Sequence, residues 1–125
     1  MRLLLDTHVF IWCAMDSREL KAATRRYLTS AEIVYVSAAS IWEIAIKTKL
    51  GKMTGDAEAL AAAIDASGFQ ELPVTAKHAA AVAKLPLHHA DPFDRMLIAQ
   101  AFLEPLRLVT ADKALAAYGG AVEFI

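Results

Sequence analysis

Four carboxylates stand where a folded α/β chain would gather them. Asp6 closes the apolar run Leu3-Leu4-Leu5, and Asp112 follows Leu108-Val109-Thr110-Ala111. Glu43 and Asp94 lie in the opening turns of two amphipathic stretches. Two unit charges about 5 Å apart repel by roughly 3 kcal/mol at an effective dielectric near 20. Four such groups in one place therefore require protonation, hydration or a cation. All-oxygen ligation suits a hard divalent ion, Mg²⁺ or Mn²⁺. An ion held this way activates water and stabilises charge developing on a phosphodiester. The residue types point to metal-dependent phosphodiester hydrolysis, with Asp6, Glu43, Asp94 and Asp112 as metal ligands and catalytic groups. Each acid also has a plain structural reading. Asp6 can cap the next helix, Ser40-x-x-Glu43 can form a capping box, and Asp94 and Asp112 can be favourable first-turn charges. Those readings would all have to hold together on one rim.

The elements that must position these acids follow from the pattern. Short apolar or β-branched runs at 3–5, 33–36, 71–74, 107–109 and 122–125 read as strands. Pro73 puts the third at an edge or a strand end. Helices are expected over 8–14, 18–28, 38–50, 56–66, 75–84 and 92–103, and from Asp112 to about 118. Asp16 or Ser17 would cap the second, with Leu20, Ala23 and Tyr27 or Leu28 inward; Ser37 would cap the third, with Ile41, Ile44, Ala45 and Thr48 on one face and Gly51 ending it. Asp91-Pro92 is the clearest start in the chain, a cap followed by proline where the first N–H has no intrahelical partner anyway. Strands alternating with helices predict an α/β fold, a three-layer α/β/α sandwich with a mostly parallel central sheet. Sites in such sheets lie beyond the carboxyl ends of the strands, where Asp6 and Asp112 fall. The helices carrying Glu43 and Asp94 start on the same rim.

At 125 residues the chain reads as a single domain spanning 1–125, long enough to bury a sizeable core. The apolar fraction of 57% is high, which suggests a well-filled core or an apolar face kept for a partner. A net charge of −1 means that any basic footprint must be local. Cys13 is the only cysteine, so an internal disulfide and a cysteine-rich zinc site are both excluded. Asp6 interrupts the first apolar run too soon for a signal peptide, and the longest uncharged run, 33–42, is too short to cross a bilayer. A soluble, cytoplasmic protein is expected.

Residues next to the acids have two readings each. Thr7, Ser40 and Thr110 can orient a carboxylate or a bound water, or simply cap backbone. Asp91 is foremost a cap and alternatively a fifth, water-mediated ligand. Arg95 can pair with an acid or reach a phosphate, or lie in a surface ion pair. Lys47, Lys49 and Lys52 suit an RNA backbone or a solvated helix end. His88-His89 invites zinc, but adjacent histidines diverge on most backbones and lack the spacing of zinc helices. Trp12 and Trp42 read as core, or as partner anchors where exposed.

The chain resembles the PIN-domain family, and within it the VapC-type ribonuclease toxins of toxin–antitoxin pairs. The likeness rests on Leu4-Leu5-Asp6-Thr7, on Ser37-Ala38-Ala39-Ser40-Ile41-Trp42-Glu43-Ile44-Ala45-Ile46-Lys47, on Asp91-Pro92-Phe93-Asp94-Arg95 with Leu97-Ile98-Ala99-Gln100-Ala101, and on Leu108-Val109-Thr110-Ala111-Asp112. It covers essentially the whole chain. The resemblance implies a parallel sheet between helices, with the family's four acids falling on Asp6, Glu43, Asp94 and Asp112. It further implies Mg²⁺- or Mn²⁺-dependent cleavage of RNA, a small VapB-like antitoxin whose C-terminal segment covers the acidic rim, and a homodimer. Two other readings stay open. One is a PIN nuclease in nucleic-acid processing without an antitoxin. The other is a receiver-like phosphoacceptor module, which would want its aspartate after a central strand and a lysine after the last.

Overall fold

The computed structural model describes residues 1–125. Its strands are β1 (Arg2–Leu5), β2 (Ile33–Ser37), β3 (Gln70–Leu72), β4 (Arg107–Thr110) and β5 (Val122–Phe124). They form one sheet in the order β3-β2-β1-β4-β5, with every neighbouring pair parallel. Successive residues of a strand face opposite sides of a sheet, and the leucine run of β1 uses both. Leu3 and Leu5 join Val34, Val36 and Val109 in one apolar cluster, while Leu4 joins Leu72 and Leu108 in another. Helices cover both faces, which is why these strands read as continuous apolar runs rather than as alternation.

On the first face lie α1 (Thr7–Ala14), α2 (Ala22–Thr29), α3 (Ala38–Lys49) and α4 (Ala57–Ala66), contributing Val9, Phe10, Leu28, Ile44, Leu60 and Ile64. On the second lie α6 (Pro92–Leu103) and a 3-10 segment, Lys113–Ala121, contributing Leu97, Ile98, Ala101, Leu115 and Tyr118. The short α5 (Ala76–Ala81) packs beside α6 through buried His78, whose Nε2 lies 2.5 Å from Glu104 and whose Nδ1 accepts from the Thr75 N–H. The three-layer α/β/α architecture and parallel sheet are as expected. After β3 the chain returns across the sheet and lays β4 on the far side of β1. The path therefore reverses direction between β1 and β4, where α/β sheets open a crevice at their carboxyl ends.

Local differences from the sequence reading have physical causes. The second helix begins at Ala22, not near 18, with Lys21 at its N-cap. Residues 16–20 are spent on a turn: Asp16 takes φ +50° and Ser17 Oγ accepts from the Glu19 N–H. Leu20, Thr24 and Leu28 are buried there, whereas Ala23 is exposed; Ala45 on α3 is also exposed. The helix after Asp112 is 3-10 throughout and is interrupted at Gly119, which has φ +81°. The helix after Thr75 tightens to 3-10 over Val82–Lys84, ahead of Pro86. Pro73 immediately follows β3, an edge strand. No helix is long and apolar enough to cross a membrane.

Candidate active site

Asp6 leaves the end of β1 and is buried beneath the crevice. Its N–H continues the ladder to the Val109 carbonyl at 2.9 Å, which ties it to β4. Thr110, the last residue of β4, donates its hydroxyl to Asp6 Oδ2 at 2.6 Å. Burial pushes the Asp6 carboxyl above the usual carboxylate range, and the Thr110 hydroxyl and the nearby His8 charge pull against that shift.

Glu43 is only 2% exposed, one helical turn inside α3, whose start Ser37 caps by accepting from the Ala39 N–H. Thr7 Oγ1 lies 2.7 Å from Glu43 Oε1 and 2.9 Å from Ser40 Oγ. A hydroxyl carries one proton. With that of Thr7 given to the carboxylate, Ser40 donates to Thr7, and a two-hydroxyl relay orients Glu43. Lys47, one turn further along α3, donates to Glu43 Oε2 and reaches Asp91 Oδ2 at 3.4 Å.

Asp94 sits in the first turn of α6. Asp91 Oδ1 accepts from the Phe93 N–H at 2.8 Å and the Asp94 N–H at 3.4 Å, so Asp91 is the cap, with its second oxygen turned to Lys47. Burial, then the charges of Asp6, Asp91 and Glu43, push Asp94 up to about 7, against a hydrogen bond with His89. His89 Nε2 lies 2.7 Å from Asp94 Oδ2. Asp112 is exposed, accepts from the Ala114 N–H at 2.9 Å, and donates its own N–H to Thr110 Oγ1 at 3.0 Å. Thr110 thus touches both Asp6 and Asp112.

One donor atom from each of His89, Asp94 and Asp112 can be chosen so that all lie within 4.8 Å of one another. Asp6 and Glu43 stand outside that triplet but act on Asp94 through their charge. Carboxylate oxygens with one imidazole, around a carboxyl that its neighbours hold partly protonated near neutrality, fit a divalent cation. Hydrogen bonds link Asp6, Thr110 and Asp112 in one chain and Ser40, Thr7, Glu43, Lys47, Asp91, Asp94 and His89 in another, and Asp94 and Asp112 bring the two into one cluster. Arg95 does not turn to it. Its guanidinium donates to the carbonyls of Val82, Pro86 and His89 at 3.0, 3.1 and 3.4 Å, and so ties down the loop that carries His89. Tyr118 also donates to the Pro86 carbonyl, at 3.0 Å. A cleft of about 1020 Å³ between α2 and α4 is lined by none of the four acids.

Sequence reasoning missed two participants. The sequence reading assigns Lys47 to an RNA backbone or to a solvated helix end, although Glu43 and Lys47 at i and i+4 are a recognisable helical ion pair. His89 was discounted with His88. The two do diverge, His88 stacking edge-on against Tyr118 at 5.0 Å between centroids, and that divergence delivers His89 to Asp94. No signal in the sequence reported the loop that does this.

The sequence matches the PIN domain family over residues 3–121. The chain belongs to the PIN-domain family. Comparison with the curated proteins gives no match. Solved structures share this PIN domain's fold across nearly the whole chain. VapBC2 from Rickettsia felis, bound to a promoter DNA fragment, superposes with a TM-score of 0.71 at 15% identity, over 99% of this chain and 98% of that one. DNA-bound VapBC from Salmonella typhimurium gives 0.70 at 16%, over 99% and 98%. VapBC-5 from Mycobacterium tuberculosis, of the VapBC family of toxin–antitoxin systems, gives 0.63 at 24%, over 99% and 97%. In this PIN domain Asp6 and Asp112 follow the carboxyl ends of β1 and β4, and the charges of Asp6, Asp91 and Glu43 act on Asp94.

Proposed function

We propose that this PIN domain is a Mg²⁺- or Mn²⁺-dependent endoribonuclease and the toxin of a VapBC-like pair. The observation that carries the reading is that ligand atoms of His89, Asp94 and Asp112 lie within 4.8 Å of one another, with the charges of Asp6 and Glu43 acting on Asp94. In this proposal Asp94 and Asp112, with His89 beside them, hold the ion from the outer side, and Asp6 and Glu43 from the inner side. A bound divalent ion supplies an activated water and stabilises charge developing on the phosphodiester. The chain's own groups prepare that state. Thr110 and Thr7 fix which lone pairs Asp6 and Glu43 present, Lys47 balances Glu43 and Asp91, and Asp94 would have to be ionised to hold a cation. No side chain need act as a nucleophile.

The toxin role is supported by the likeness to solved VapBC structures, and the partner it implies is a small VapB-like antitoxin. A homodimer and a cytoplasmic location belong to the same proposal. Purified protein with an unstructured RNA should cleave it with Mg²⁺ or Mn²⁺ and stop with EDTA, while Asp94→Asn should be folded and inactive. Undiminished cleavage by that variant would refute the site. Co-expression with the adjacent reading frame tests the toxin role: a small protein that co-purifies and silences cleavage separates a toxin from a solitary nuclease.

A further inference from the structure

The acidic crevice raises a difficulty for an anionic substrate. Asp6, Glu43, Asp91, Asp94 and Asp112 face it, Lys47 is already paired with two of them, and Arg95 is spent on loop carbonyls. With a net charge of −1, bulk attraction does not hold a polyphosphate here either. Lys49 and Lys52 stand at and beyond the far end of α3, so beside the acids a source of binding energy other than a free cationic side chain is needed.

The lip of the crevice carries one. Trp42, the residue before Glu43, is 61% exposed. Its ring meets that of Phe93, the residue before Asp94, edge to face at 5.1 Å between centroids and 74° between planes. The contact bridges α3 and α6 at the point where both deliver an acid. Lys47 Nζ sits 5.7 Å from the Phe93 centroid, so the aromatic pair and the ion pairs of the crevice are contiguous. Two other aromatic rings are exposed, Phe102 at 49% and Phe124 at 44%, both less than Trp42, and neither is in an aromatic pair. Trp42 is thus a flat, pre-oriented surface bordering the acids, propped from one side by Phe93. Base–aromatic stacking is tolerant of sequence because every base has a π-face, and it needs no positive charge.

We infer that Trp42, propped by Phe93, is a stacking platform for an unpaired nucleobase of single-stranded RNA next to the scissile phosphate. This rests on the nuclease reading above and makes the substrate an unpaired strand. Trp42 is a positioning residue. Its substitution should act on substrate binding and leave the ion alone.

The test uses the full chain. Trp42→Ala should raise KM for a single-stranded oligoribonucleotide about 10-fold or more, with kcat little changed. Trp42→Phe should restore most of the loss, and Mn²⁺ affinity, measured by calorimetry, should be equal in all three proteins. An oligonucleotide with abasic residues should bind wild type and Trp42→Ala equally, because the partner of the ring is already gone. In EDTA, the same RNA should quench wild-type tryptophan emission, and the quench should vanish in Trp42→Phe, where only the half-buried Trp12 remains. An unchanged KM for Trp42→Ala overturns the inference. So does an unchanged KM together with lost antitoxin capture or lost dimer, which would make the ring a protein anchor. RNA binding with a Trp42-dependent quench but no cleavage sustains the platform and sinks the nuclease reading instead; absence of both binding and cleavage sinks both.

Discussion

The two halves of the acidic crevice are built differently. On the inner side, Asp6 and Glu43 are nearly inaccessible, and each has a threonine hydroxyl on it, from Thr110 and Thr7. On the outer side, Asp94 and Asp112 are more open; His89 holds one, and the other doubles as a backbone cap. The inner half is set by strand ends and a buried helix, the outer half by a helix start, a 3-10 segment and a loop. An inner carboxylate is aimed before any ligand arrives. An outer one can shift with its loop, which suits a group that must release a proton and admit a substrate.

The sharpest way to break that contrast is to neutralise an inner acid. Asp6→Asn should lower RNA cleavage by more than about 100-fold, exceeding the loss expected for an orienting neighbour; single-turnover rates at saturating Mn²⁺ measure it. Removing only the hydroxyls should cost less. Thr110→Val and Thr7→Val keep shape, and each should lose about 10- to 100-fold in metal affinity or rate. Thr110→Val should be the larger loss, since that one hydroxyl serves Asp6 and the Asp112 N–H. On the outer side, His89→Gln should weaken Mn²⁺ binding by about 10-fold or less, read by calorimetry. If it equals Thr110→Val, the two halves are not distinct.

Proton linkage sharpens the comparison further. With the Asp94 carboxyl at about 7, binding a cation displaces a proton below that pH. Apparent Mn²⁺ affinity should therefore fall about 5-fold from pH 7 to pH 6, and Asp94→Asn should lack that dependence. Stability follows the same group. Asp94 has a folded value of about 7 against 3.8 unfolded, so between those values the folded protein holds the extra proton. The metal-free protein should lose stability as pH rises from about 4 to about 7. The smallest effect is then a gain: Asp94→Asn should melt about 3–6 °C higher than wild type in EDTA at pH 7.5, corresponding to roughly 1 kcal/mol. A divalent cation should erase that difference.

Much of both halves was legible because strand ends and helix caps are local. Leu3-Leu4-Leu5-Asp6 reads as a central strand with an acid at its exit, and Asp91-Pro92 fixes the start of α6 to the residue. The resemblance then named which four acids belong together. The loop that adds His89 to the outer half was not legible, for the opposite reason. His89 reaches Asp94 only because Arg95 and Tyr118 hold the 82–89 loop by its carbonyls, and no periodicity reports such a contact. The sequence alone reads Arg95 as meeting an acid or a phosphate, or as lying in a surface ion pair. Its Nη1 and Nη2 groups instead donate to the carbonyls of Val82, Leu85, Pro86 and His89. The late start of α2 has the same character, with Asp16 adopting a left-handed backbone that its residue type allows but does not demand.

The placement of β4 has a consequence for how this protein is made. The strand that carries Thr110 enters the sheet beside β1, so the first acid of the chain is completed by residues more than a hundred positions later. A nascent chain on the ribosome, with its first ninety residues outside, has Asp6 and Glu43 and no crevice. On the metal-site reading proposed above, Asp6 meets the hydroxyl that aims it only once β4 has entered the sheet beside β1.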